Sequence, residues 1–307
     1  MDVGCAVSDR TEWAVDGGYP ATVLTPRPEA ANGRTSRRSS AGRGRRPWSG
    51  SQGFLLRQLV AADFKLRYQG SVLGYLWSLA RPLALFSILY VVFVKFFAFG
   101  SGVPNFPLYL LLGIVLWTFF SEATMTGLRA ITDKGDMIRK VSISKQILVV
   151  APVAAAFVNL ALNLLVVAIF AVATGVGVSA NILLLPVVLI ELLVLSTAAC
   201  FLLSALYVKY RDMVYIWELL SQVLFYVTPI IYPLTLVPDR FQKYLLLNPL
   251  TQMLQDARFA MLDDRTGTAA GLLPAPLAVV PYALVLLAMI VSVRYFNARS
   301  RFFAETI

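Results

Sequence analysis

Six stretches of the chain stay apolar for long enough to cross a bilayer, at roughly 82–99, 106–128, 146–173, 181–206, 214–233 and 276–293. A spanning helix needs about 20 predominantly apolar residues to cover a hydrocarbon core of ~30 Å. The linking segments are short and polar, except residues 233–275. There Pro233, Pro238 and Pro249 cut an apolar sequence into pieces too short to span. Such pieces predict re-entrant or surface helices, which membrane depth tolerates only when they are buried in protein or line a cavity. Ahead of the first span, residues 54–70 are too charged to cross. Wound at about 100° per residue, Leu55, Leu56, Leu59, Val60 and Leu66 share one face, with Arg57, Gln58, Lys65 and Tyr68 on the other. Asp63 and Arg67 intrude on the apolar side, but their i,i+4 spacing lets them pair. The pattern predicts an amphipathic helix lying in the interface. The expected fold class is therefore all-α integral membrane. Six transmembrane helices occupy residues 71–303, behind an interface helix at 54–70 and a tail at 1–53.

Composition agrees with the pattern. The 307 residues are 58% hydrophobic and 14% charged, with a mean hydropathy of +0.70, against about 45–50% and 25% in soluble domains. A net charge of +10 invites a nucleic-acid reading, but its distribution favours another. Arg34, Arg37, Arg38, Arg43, Arg45 and Arg46 crowd a Ser/Gly-rich tail whose composition cannot support a core. That tail reads as solvated, with no nucleic-acid partner. It holds no apolar run of the secretory-signal kind, and Asp2, Asp9, Glu12, Asp16 and Glu29 argue against a transit peptide. Sorting the loops by side puts 22 of the 27 Lys and Arg residues on one face of the membrane. Basic loops stay cytoplasmic, so both termini are expected in the cytoplasm of a plasma-membrane protein.

Candidate chemistry is sparse. The chain has no histidine, and its two cysteines, Cys5 and Cys200, suggest neither a disulfide nor a metal site. No G-x-x-x-x-G-K-[ST] loop is present to cradle a nucleotide. Glu122, Glu191 and Glu218 fall within spans, where a central charge costs at least about 2.5–3.5 kcal/mol. Glu122 and Glu191 are expected to face the bundle interior. Glu218 is placed to pair with Arg211 or to face a cytoplasmic cavity. Three such acids keep a proton-coupled carrier open, although intramembrane basic partners and broken inverted repeats are missing. A membrane glycosyltransferase would have only Asp263 and Asp264 as paired carboxylates. Phe86, Tyr90, Phe93 and Phe97 recur at one helical stripe. Tyr215, Trp217, Phe225, Tyr226 and Tyr232 enrich the fifth span. Aromatic faces of this kind stack on sugar rings, and equally well pack helices together. In the loop at 129–145, Ile131, Met137, Ile138, Val141 and Ile143 either seat in a soluble partner's groove or pack on their own chain.

Three blocks carry a family resemblance: R-Y-Q-G-S-V-L-G-Y-L-W-S-L-A-R-P-L at 67–83, Y-R-D-M-V at 210–214 with V-T-P-I-I-Y-P at 227–233, and L-N-P-L-T at 247–251. In order and spacing the chain resembles the permeases of type-2 ABC exporters, in the branch that exports O-antigen, teichoic acid and actinobacterial galactan. Arg81-Pro82 departs from the Asn-Pro more usual there. The resemblance implies a bacterial homodimer working with two copies of a separate ATPase that binds ATP and magnesium, no cofactor in this chain, and no enzymatic activity of its own. It also implies a lipid-linked polysaccharide as cargo, galactan first, with drugs or lipids as the alternative. By the same resemblance Asp133, Lys134, Asp136, Met137 and Arg139, with Arg211 and Asp212, would couple to the ATPase. Pro233, Phe241, Tyr244, Asn248 and Pro249 would form the external gate. Phe86, Tyr90, Phe93, Phe97, Tyr215, Trp217, Phe225 and Tyr226 would line the conduit.

Overall fold

A computed structural model describes residues 50–68, 76–96, 103–140, 144–177, 180–262 and 267–303. The tail up to residue 49, Phe97, Val141 and Ile143 lie outside the described residues, as do the side chains of Leu66, Arg67 and Arg139. The described residues form helices and connecting turns without strands. They lie in one compact unit, Pro47–Ile307.

Five helical segments are long and apolar enough to cross a membrane: Leu76–Phe96, Phe106–Arg129, Lys145–Ala173, Ala180–Lys209 and Ala275–Phe302. They contain, in order, α2 (Leu76–Leu89), α3 (Phe106–Arg129), α5 (Lys145–Ala173), α6 (Leu185–Lys209) and α12 (Val280–Arg299). The expected fifth span is shorter than its apolar run. Helix α7 (Met213–Val227) has 15 residues, about 22 Å of helix. It stops because Pro229 disfavours helical backbone at Thr228, whose ψ is 130°. The chain is thus a multi-pass membrane protein, with five full-length helices and one short apolar helix among the described residues.

Helix α3 is the hub. Of its apolar window 72% is buried, against 6% for α2, and it packs on α2, α5, α6, α7 and α9 (Pro249–Met261). Three of its threonine hydroxyls bond back to carbonyls one turn earlier, Thr118 to Ile114, Thr124 to Phe120 and Thr126 to Glu122, so these three need no water. Close approach to α6 rests on Gly127. A Cβ built there would lie 2.4 Å from Cys200 Sγ, and that thiol donates to the Ala123 carbonyl at 3.3 Å. Small residues at such crossings let backbones meet in a solvent that offers no hydrophobic drive between helices. Helix α5 ends in a Schellman turn: Gly175 takes φ +71°, Val176 N–H donates to Ala171 O and Gly175 N–H to Val172 O.

Helix α1 (Gly50–Tyr68) lies against α5. Leu59 is buried and Leu55, Leu56 and Val60 half-buried, while Arg57, Gln58 and Lys65 are exposed, as the amphipathic pattern predicts. The Asp63 carboxylate accepts from Lys134 Nζ at 2.8 Å, so a cation from the turn after α3 meets it; the expected i,i+4 partner Arg67 has its side chain outside the described residues. At the same end Gln146 donates to Asn297 Oδ1 at 2.8 Å and Lys145 donates to the Ser300 carbonyl, tying the start of α5 to the end of α12. Leu128, Leu203 and Val214 form a small core joining the end of α3, the end of α6 and the start of α7. Among the described residues Lys134, Lys145, Lys209 and Arg211, which sequence counting assigns to one side, lie at this end of the bundle.

Replacing Gly127 by Ala forces a methyl onto the Cys200 sulfur and should cost about 1–3 kcal/mol by overpacking. Thermal unfolding of the purified protein should show the loss, and the double change Gly127→Ala, Cys200→Ala should restore most of it. A single variant as stable as wild type would remove this contact from the hub.

Candidate functional site

The chain leaves α7 through Thr228 and a non-helical stretch to Pro233, passes a turn at Leu234–Leu236, and enters α8 (Asp239–Leu246) and then α9. Helices of 8 and 13 residues reach only about 12 and 20 Å, so neither spans, as the proline pattern predicts. Asn248 caps α9, accepting from Leu250 N–H at 3.1 Å, and Pro249 fills the first turn, where a missing N–H costs nothing. Pro233 is buried, whereas Phe241 and Tyr244 are exposed on α8.

The break is held by an arginine that loop counting places on the outer surface. Arg258 is instead wholly buried. Its Nη1 donates to Pro229 O at 2.7 Å and to Gln255 Oε1 at 3.0 Å, and its Nη2 to Ile230 O at 3.0 Å, with a longer contact to Tyr109 O at 3.4 Å. The guanidinium lies 3.3 Å from the Tyr109 ring centroid. Gly113 makes room for it, since a Cβ there would stand 2.9 Å from Nη2. The sequence signal was an arginine in a short helix of mixed polarity just after a proline-broken span.

The aromatic groups separate into two kinds. On α2, Phe86 stacks on Tyr90 at 5.8 Å and meets Phe170 of α5 edge-on at 6.1 Å. Phe86, Tyr90 and Phe93 are half-buried against the core. From Tyr90 to Phe96 the helix widens to π geometry, so the 3.6-residue stripe does not continue past Tyr90. On α7, Trp217 donates to Thr124 Oγ1 at 3.1 Å, and Phe225 packs on Trp117 at 5.6 Å. Tyr215 and Tyr226 instead stand 73% and 60% exposed. Glu218 and Gln222 lie between them at helical spacing and are exposed too. Four polar or aromatic residues therefore share one bare face of an otherwise apolar helix. Glu218 does not meet Arg211, whose guanidinium lies over the Tyr207 ring at 5.3 Å.

At the basic end, helix α4 (Gly135–Lys140) presents Asp136 and Met137 outward beside exposed Asp133. Arg211 and Asp212 are exposed in the turn between α6 and α7. The apolar residues of the α3–α4 segment are only partly available. Ile131 is fully buried and Ile138 packs against the core, which leaves Met137 as the exposed one among the described residues.

A family model described as ABC-2 type transporter matches residues 55–262, from α1 through the end of α9. The chain belongs to the ABC-2 type transporter family. An O-antigen export system permease protein RfbA of Myxococcus xanthus is 30% identical over 258 residues, which cover 82% of this chain and 95% of that protein. A protein of the same description from Klebsiella pneumoniae is 27% identical over 201 residues, 65% of this chain and 77% of its own length.

Two further polar nodes sit inside this ABC-2 domain. Asn159 of α5 donates to Glu122 at 2.8 Å. Gln252 of α9 donates to Glu191 of α6 at 3.2 Å and to Asp256 at 2.7 Å, and Tyr282 of α12 donates to Asp256 at 2.8 Å. Glu122 and Glu191 thus face helices, as expected. Gln252, Asp256, Arg258 and Tyr282 were missed because each has a partner distant in sequence, and Gln222 because an uncharged amide gave no local signal.

The Arg258 clamp has a direct test. Replacing it with Met leaves buried carbonyls without donors at about 1–3 kcal/mol each, and Lys cannot fork to several acceptors. Both variants should lose about 3 kcal/mol or more, read as lower membrane abundance and earlier unfolding in detergent. Wild-type stability in Arg258→Met would overturn the role.

Proposed function

We propose that this chain is the transmembrane permease subunit of an ATP-driven exporter that carries a lipid-linked polysaccharide across a bacterial plasma membrane. It works as a homodimer with two copies of a separate ATPase and keeps both termini in the cytoplasm. The observation that carries the reading is the bare face of α7. A glutamate and a glutamine between two tyrosines are a poor surface for lipid and a good one for a wet glycan, whose ring faces stack on tyrosine while its hydroxyls bond to carboxylate and amide. Two such faces across a dimer axis would form the conduit, with Trp217 and Phe225 as supporting packing and the α2 aromatics as its edge. The names of the relatives, O-antigen export permeases, supply the cargo class. Galactan is the proposed glycan, on the strength of the sequence blocks.

The ATP enters through a partner, because the sequence holds no phosphate-cradling loop. Asp133, Asp136 and Met137, with Arg139, form the proposed seat in the ATPase, and Arg211 and Asp212 a smaller contact. The Lys134–Asp63 ion pair would pass a push on that seat to α1. On the far side Pro233, Phe241, Tyr244, Asn248 and Pro249 would close the exit, braced by Arg258.

Depleting the protein in its host should accumulate a lipid-linked glycan on the cytoplasmic side, and its sugar composition would test galactan. If no glycolipid accumulates, the reading passes to a drug or lipid exporter. Glu218→Leu tests the conduit by sign. On a lipid-facing surface leucine should stabilise by about 2.5–3.5 kcal/mol and leave export intact. On a conduit wall it should reduce export severalfold at unchanged abundance.

A further inference from the structure

One hollow lies apart from the α7 face and the gate. It opens where α1 crosses α5, has a volume of 380 Å³, and is lined by Leu56, Val60 and Ala61 of α1 and Ala154 and Val158 of α5, with Arg57 at its rim. The lining is almost wholly apolar, and the volume falls within the roughly 300–1,000 Å³ of small-molecule sites. Its existence follows from residue size, since alanines stand on both helices where larger side chains would close the crossing.

The hollow does not end at the crossing. Val158 is exposed, and Leu162, Leu165 and Ile169 continue the exposed line along α5 at helical spacing. An apolar channel therefore runs from the α1 crossing along a membrane-spanning helix, the path an extended acyl chain would follow. Charge at the rim completes the match. Arg57 is exposed, and among the described residues no carboxylate bonds to it. Asp63, the nearest acid on α1, is committed to Lys134. Lys65, about two turns further along α1, is also exposed. The ion pair to Lys134 fixes α1 at the basic end of the bundle, where headgroups of one leaflet lie.

We propose that this groove binds an anionic glycerophospholipid of the surrounding bilayer, its phosphate against Arg57 and one acyl chain in the hollow between α1 and α5. The lipid fills the crossing that Ala61 and Ala154 leave open. It would thereby hold α1 against the bundle at the helix that the Asp63–Lys134 pair joins to the α3–α4 turn.

Native mass spectrometry of the full chain in detergent, titrated with phosphatidylglycerol or phosphatidylcholine of identical acyl chains, tests this. Wild type should retain phosphatidylglycerol preferentially. Arg57→Gln should lower that retention about five-fold, the order of effect of one surface cation on an anionic lipid, with retention of phosphatidylcholine and the unfolding temperature unchanged. Ala154→Leu, which fills the hollow, should lower the retention of both lipids. Equal phosphatidylglycerol retention in wild type and Arg57→Gln overturns the proposal, and this surface variant decides the matter if Ala154→Leu folds poorly. A polyprenyl phosphate that outcompetes phosphatidylglycerol in wild type, and does so less in Ala154→Leu, overturns the assigned occupant.

Discussion

Every backbone amide in hydrocarbon must find its partner within the protein, and after Val227 the chain leaves helical backbone altogether. The carbonyls of Pro229 and Ile230 are released there, and no water competes for them. The Arg258 guanidinium answers with a rigid fork that reaches both at once. Its charge needs no carboxylate, because carbonyl dipoles, the Gln255 amide and the Tyr109 ring surround it. Removing the fork would orphan several acceptors together. The segment that leaves α7, helix α9 and the start of α3 all meet around this side chain, so their mutual placement depends on it.

The rest of the bundle follows from how closely helices can approach α3. Gly113 admits the guanidinium and Gly127 admits Cys200, one near each end of the same helix. Both are positions where a single methyl would intrude on a buried neighbour. The intervening turns carry bulky Leu, Ile and Phe side chains that fill the space to α5 and α6. Thr124 closes on its own helix and accepts from Trp217, and Glu122 accepts from Asn159, so these polar groups are satisfied between helices.

Much of this was legible in the sequence, and the exceptions share a cause. Apolar run length located the long helices, and prolines marked the non-spanning segment, because both signals are local. The amphipathic reading of α1 survived for Leu55, Leu56, Leu59 and Val60. Asp63 also accepts from a cation 71 positions away, a partner that local spacing could not show. Ile131 looked available because a polar loop surrounds it in sequence, yet the fold covers it. Arg258 was counted with the loop charges for the same reason. The stripe on α2 assumed a uniform 3.6-residue period, and the π turn from Tyr90 broke it. Local pattern sets the elements, while nonlocal partners decide what each polar side chain does.

That distinction bears on the α7 face. Arg258, Glu122 and Glu191 are polar groups in an apolar setting, and for each the fold supplies a partner within the chain. Among the described residues Glu218 and Gln222 meet no such partner; they point outward, from the middle of a helix too short to reach both surfaces. A chain that satisfies its deep polar groups so consistently elsewhere has little reason to leave these two against lipid, at a cost of several kcal/mol. The inconsistency disappears if the face is turned toward water or a second copy. The shortness of α7 then also has a use, since a helix that ends before the far surface leaves an opening that α8 and α9 can cover or uncover.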